Sequence, residues 1–290
     1  MNHTLKGIAY MVIAMAGFAV SDGFLKELTE TIPAGQLLVI FGVLGGGLLA
    51  LVSLLRGAPL YGPWLFQPLF LARLLTDMLA AAGVVSAFAL APLSLVSAIM
   101  QVSPLIAALA AVWLLGEKLG LRRLSAIGVG LFGVLLIVEP WGAQVEGGAL
   151  LAAFGATMLA LRDVLTRKMP GNIPSEALVT YGFLAIAPGG LLALAVSPGW
   201  VAVSLPSLAL IIGGVLTGIF GYTMITLASR IAEISAIAPF RYSRLVFALL
   251  IGGFFFGERL APIAIVGSVL VIGSGLFVFW RESRLRSKAA

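Results

Sequence analysis

The chain has 290 residues, of which 61% are hydrophobic and 10% charged, and its formal net charge is +6. Soluble domains carry about 25% charged residues, so this surplus of apolar sequence has lipid as its solvent. Cysteine is absent and the one histidine is His3, which excludes disulfides, thiol chemistry and histidine acid–base chemistry within the membrane.

A spanning helix needs about 20 mostly apolar residues. In chain order, such segments run over about 7–26, 35–55, 68–90, 94–115, 121–139, 148–168, 176–196, 207–229, 233–256 and 261–281. They are punctuated by "TIPAG", "RGAPLYGP", "LAPLS", "GEKLG", "EPWGAQVEGG", "MPGNIPSE", "SPGW", "SRIAE" and "GERLAP". Continuous apolar runs without period-2 alternation predict helices and not a membrane barrel. Lys6 and "AMA" (Ala14 to Ala16) sketch a cleavable leader, but the apolar stretch between them is too short, so the first span is expected to stay.

With ten spans and the N-terminus inside, fourteen of the eighteen Lys and Arg fall on the cytoplasmic side. Lys26 and Arg259 fall outside, and Arg241 and Arg244 lie within a span. Both termini are therefore expected in the cytoplasm. The basic balance is a topology signal, and no nucleic acid is implied.

The halves repeat at an offset of 141 residues. "GEKL" (Gly116 to Leu119) recurs as "GERL" (Gly257 to Leu260), and Ile32–Pro33 recurs as Ile173–Pro174. Asp22 falls on Asp163, and Lys26 on Arg167. The expected division is 1–140 and 141–290, one transport unit made of two five-helix repeats. Five is odd, so the second repeat enters the membrane upside down. Inverted repeats of this kind enclose a substrate site near mid-membrane and open it to each side in turn.

Ten spans in two halves, each closing its fourth helix with "GE-[KR]-L" before a Gly-rich fifth, resemble the drug/metabolite transporter superfamily. Within it the chain is most similar to the EamA-type branch, which includes the YddG-like amino-acid exporters. Gly267 fits a glycine common in that family nine residues after the Glu, whereas Ala126 stands there in the first half. The resemblance implies an all-α protein of the cell (inner) membrane that exports small polar metabolites, amino acids above all, without a cofactor. Another metabolite class (an organic anion, nucleoside or nucleotide-like solute) is the alternative.

An arginine at mid-bilayer costs about 2.5–3.5 kcal/mol on insertion scales, so each one needs a reason. Arg241 and Arg244 sit in "IAPFRYSRLVF", about 12 and 16 Å deep at 1.5 Å per residue. Asp77, in the third span, lies near the same level. Two readings stand: an Arg–Asp pair locking two helices, favoured for Arg244, or a cationic spot on a cavity wall receiving a carboxylate through the guanidinium fork. Arg241 with Tyr242, Asp77, Gln101 and Tyr222 forms the candidate substrate site. Pro104 and Pro239, in the fourth and ninth spans, are candidate kinks where backbone carbonyls face the cavity. Asp22 with Lys26, Arg73 with Asp77, and Asp163 with Arg167 stand at i and i+4 and are expected to neutralise one another. Glu117 and Glu258, in the two repeated motifs, are expected to act as hinge and cap elements.

No ATP-binding motif is present, so transport is expected to be downhill or coupled to an ion. The constellations of an intramembrane enzyme (Ser with His, paired aspartates, a metal set) are missing from the spans. A purely structural membrane protein would leave the buried arginines unexplained.

Overall fold

The computed structural model describes residues 3–115, 121–138, 147–170, 172–196, 199–231, 238–259 and 261–289. The first three spans are α1 (His3–Leu28), α2 (Ala34–Leu55) and α3 (Pro68–Leu90). The fourth is α4 (Leu93–Met100) followed by α5 (Ser103–Leu115), and the fifth is α6 (Leu121–Val138). The second half repeats this order with α7 (Gly147–Lys168), then α8 (Ser175–Leu184) with α9 (Ile186–Val196), then α10 (Leu205–Ile231). A 3₁₀ turn (Ala238–Tyr242) leads into α11 (Ser243–Phe255), and α12 (Pro262–Ala289) closes the chain. Among the described residues six helical stretches, α8 with α9 taken as one, are long and apolar enough to cross a membrane, and shorter apolar helices accompany them. The protein is an all-α membrane protein of ten spans in two inverted repeats.

Among the described residues the expected continuous spans are interrupted at three places. The Gln101 and Val102 amides turn back to Ala98 and Ile99 at 3.2 and 3.1 Å, a tightening that ends α4. Leu105 and Ile106 then bond to the Val102 carbonyl and start α5. Pro104 is the second residue of α5, where a missing N–H costs nothing. It therefore marks a restart, not a kink within a helix. In the seventh span the break falls at Ala185, three residues before Pro188, which cannot donate to the Leu184 carbonyl. Pro239 lies in the 3₁₀ turn that opens the ninth span, and only its backbone is described. The Ser243 hydroxyl donates to the Phe240 carbonyl at 2.7 Å and fixes the step from 3₁₀ turn to α11.

Helix neighbours obey the repeat. The first span packs on the eighth, and its image, the sixth, packs on the third. The second packs on the seventh, the fourth on the ninth and the fifth on the tenth, each pair being its own image. The correspondence reaches single atoms. A Cβ on Gly221 would lie 2.9 Å from the Ala14 carbonyl oxygen, and one on Gly155 would lie 3.2 Å from that of Ala80. Adding 141 to Ala14 and Ala80 gives Gly155 and Gly221, so one crossing becomes the other when the halves exchange. Lipid tails are as apolar as leucine, so helices associate through such close contacts and not through a hydrophobic drive.

At the end of the bundle opposite the chain termini, two charges clasp the junction of α3 and α4. Lys26 Nζ donates to the Phe88 carbonyl at 3.0 Å, in the last turn of α3. The Glu258 carboxylate accepts from the Leu93 and Ser94 amides at 2.6 and 2.9 Å, and from the Ser94 hydroxyl at 2.6 Å. Each charge opposes the dipole of the helix end it meets. Glu258 thus caps α4 from 165 residues away. Glu117 lies outside the described residues.

Candidate functional site

A cavity of about 370 Å³ opens between the halves, walled by α1, α2, α3, α7, α8, α10 and the joints of the fourth and ninth spans. Most of its wall is made of residue pairs 141 apart, among them Phe18 and Leu159, Asp22 and Asp163, and Ser103 and Arg244. The cavity therefore lies on the pseudo-two-fold axis. Its shape is symmetric and its chemistry is not. Arg162 is the image of Ser21, Arg73 of Gly214, Asp77 of Gly218, Tyr222 of Ala81, and Arg241 of Met100.

Among the described residues four arginines and three aspartates reach the wall. Asp22 Oδ2 accepts from Arg244 Nε at 3.0 Å and Nη2 at 2.6 Å. The expected partner Lys26, one turn along the same helix, is instead committed to Phe88. The reason is direction: Asp22 faces inward, while Lys26 reaches the open carbonyls at the end of α3. Arg244 consequently does not pair with Asp77.

Asp77 takes Arg73, its neighbour at i−4, with Nη1 2.9 Å from Oδ2 at an angle that makes an ion pair and not a hydrogen bond. Arg73 also donates to the Leu178 carbonyl at 2.7 Å and to Thr166 Oγ1 at 3.3 Å, tying α3 to α8 and α7. On its other side Asp77 meets Arg162 Nη1 at 3.6 Å. Arg162 donates through Nε and Nη2 to Asp163 Oδ1 at 3.1 and 2.8 Å. Asp163 was expected to face Arg167, whose side chain lies outside the described residues.

Arg162 is the residue that sequence reasoning missed, counted with the basic flank of its span. It stands six residues before the end of α7, as deep as Arg73 stands in α3, and that depth was the available signal. Phe18 lines the cavity as well.

Arg241 differs from the other three arginines. It is exposed on the cavity wall, and no described carboxylate pairs with it. Gln101 lines the cavity and is buried, and its Nε2 donates to the Tyr242 carbonyl at 3.3 Å. Tyr242 itself is only 8% exposed and stands behind the wall, not on it. Tyr222 and Pro104 line the cavity. Among the described residues no group of three His, Asp or Glu side chains stands together to hold a metal.

Comparison with known proteins agrees with this architecture. A riboflavin transporter of Rhizobium johnstonii is 27% identical over 300 aligned residues, covering 100% of this chain and 96% of that protein. The pseudopaline exporter CntI of Pseudomonas aeruginosa is 25% identical over 92% of this chain and 93% of its own. Neither relative carries the name of an amino-acid exporter. A crystal structure with 20% identity superimposes with a TM-score of 0.66 over 98% of both chains, which is a likeness of fold. The profile of the EamA-like transporter family matches twice, over residues 5–139 and 146–280; the chain belongs to that family.

Proposed function

We propose that the protein is a secondary transporter that carries small metabolites bearing an anionic group through the central cavity by alternating access. The observation that carries this reading is the single excess charge of the wall. Arg73, Arg162 and Arg244 each have an aspartate, whereas Arg241 has none among the described residues. An exposed guanidinium on a low-dielectric wall is a receptor for a carboxylate or phosphate, held through two parallel N–H donors. Gln101 positions it by holding the adjacent Tyr242 carbonyl, and Tyr222 also lines the cavity. Asp77 and the other paired charges keep the walls together while the halves rock, and Pro104 and Pro239 mark where the fourth and ninth spans flex. The unit spans 1–140 and 141–290 and sits in the inner membrane with both termini in the cytoplasm, an orientation that the Lys and Arg distribution supports.

Amino acids are the first class to test, with export as the expected direction and a coupling ion as the remaining partner. A second class is favoured by the full-length similarity to a riboflavin transporter: solutes of flavin or nucleotide type. A cavity of about 370 Å³ falls within the range of roughly 300–1,000 Å³ that drug-sized ligands occupy.

The test is counterflow into proteoliposomes loaded with unlabelled solute, comparing wild type, Arg241→Ala and protein-free vesicles. Accumulation by wild type with loss in a folded Arg241→Ala protein is the expected result. Equal transport by both proteins would show that the anion is received elsewhere.

A further inference from the structure

The Arg244 guanidinium lies over the ring of Phe18, its Cζ 5.5 Å from the ring centroid. The ion pair with Asp22 does not need this contact. Asp22 Oδ2 holds the guanidinium through Nε and Nη2, which fixes one edge of the planar group. Asp22 keeps only 8% of its side chain exposed, whereas Arg244 keeps 25%, and both Arg244 and Phe18 face the cavity. The nearby Ser21 hydroxyl is already spent on the Gly214 carbonyl at 2.8 Å. What remains on this wall is a charged planar group laid over an aromatic ring, with Met15 and Ile225 in the same apolar cluster as the ring.

The repeat shows that the fold does not require it. The images of Phe18 and Arg244 are Leu159 and Ser103, which line the opposite wall with neither a ring nor a charge. One side of a symmetric scaffold closes with Leu and Ser, so the Phe and Arg on the other side answer to something besides packing. Arg241, without a carboxylate partner among the described residues, precedes Arg244 by three residues, the spacing of neighbours on one helical face.

We infer that Phe18 and Arg244, held by Asp22, form a stacking subsite for a planar conjugated ring, and that the substrate joins such a ring to an anionic group bound at Arg241. This rests on the cavity being the transport site and selects the second of the two substrate classes. Aromatic faces and guanidinium planes both stack on conjugated rings, and either one is worth a measurable part of the affinity.

The test uses full-length protein in detergent, with flavin mononucleotide (ring and phosphate), riboflavin (ring alone) and glutamate (anion without a ring) as probes. Flavin binding is read by fluorescence quenching and glutamate binding by calorimetry. Wild type is expected to bind the mononucleotide about tenfold more tightly than riboflavin, and Arg241→Gln to remove that preference. Phe18→Leu, which copies the opposite wall, is expected to weaken both flavins about tenfold and leave glutamate unchanged, while Phe18→Tyr keeps flavin affinity. Flavin affinity unchanged in Phe18→Leu, or lost in a folded Phe18→Tyr, overturns the subsite. Glutamate binding with no flavin binding overturns the subsite and leaves the transport site standing. Binding of none of the three overturns both.

Discussion

Gln101 and Tyr242 stand 141 residues apart and are joined by a hydrogen bond from the Gln101 amide to the Tyr242 carbonyl at 3.3 Å. They are the same position in the two repeats. Each sits where its span is interrupted, Gln101 between α4 and α5 and Tyr242 at the entrance to α11. The bond therefore crosses the pseudo-two-fold axis and links the two joints beside the cavity. Movement of one half against the other strains or breaks it.

Gln101→Leu keeps the approximate volume and removes the donor. As the N-cap of α11 the Tyr242 carbonyl keeps its bond within the helix, so the loss is that of one ordinary hydrogen bond, about 0.5–1.5 kcal/mol. The expected outcome is a lower melting temperature in detergent together with weaker solute binding, because the turn that presents Arg241 loses its tether. A variant as stable as wild type, with unchanged binding, would show that the bond is incidental.

Asp22 and Arg244 are expected to behave as a unit in a double-mutant cycle. Asp22→Asn leaves a partly buried guanidinium without its counter-charge, which costs about 3 kcal/mol, at the low end for broken buried pairs because part of Arg244 is wet. Arg244→Met leaves the carboxylate stranded and is also destabilising. The double variant Asp22→Asn/Arg244→Met removes both charges and is expected to be more stable than either single variant. Thermal unfolding followed by tryptophan fluorescence measures the coupling, and additive losses would mean that the pair is not a thermodynamic unit.

The two exchange-related crossings make a sharper prediction about packing. Gly221→Ala presses a methyl group to 2.9 Å from the Ala14 carbonyl oxygen, and Gly155→Ala to 2.7 Å from the Val84 side chain and 3.1 Å from its amide nitrogen. Overpacking of this kind costs about 1–3 kcal/mol. Gly128→Ala meets nothing within 4 Å, and the better helix former is expected to be neutral or to stabilise by up to about 1 kcal/mol. If all three variants melt alike, close approach does not hold these helices together.

Glu258 caps a helix that its own sequence leaves uncapped, since Pro92 before α4 offers no side-chain acceptor. Glu258→Ala exposes the Leu93 and Ser94 amides and is expected to cost about 1–2 kcal/mol, the usual price of a lost cap. Glu258→Gln retains one acceptor and is expected to lose less. Amide hydrogen exchange at Leu93 and Ser94 separates this from a general loosening. Protection at those two amides that survives in Glu258→Ala would exclude the cap.

Ten spans, the 141-residue offset and the depth of Arg241, Arg244 and Asp77 were legible from the amino-acid sequence alone. Lipid makes this so: with no water in the bilayer core, each backbone polar group must bond within its own segment, and span and hydropathy coincide. Charge partners were not legible in the same way. Lys26 follows Asp22 by one helical turn, yet Arg244 takes the carboxylate from 222 residues away. Arg162 was read as membrane-flanking and instead reaches Asp77 across the bundle. Tyr242 was read as wall and lies behind it. The rotation of each helix about its axis decides these pairings. That rotation is fixed by small-residue contacts such as Ala14 with Gly221 and Ala80 with Gly155, which join segments far apart in the chain. The sequence alone determined what crosses the membrane and how many times; the packing of distant helices decided which charges meet and left Arg241 unpaired among the described residues.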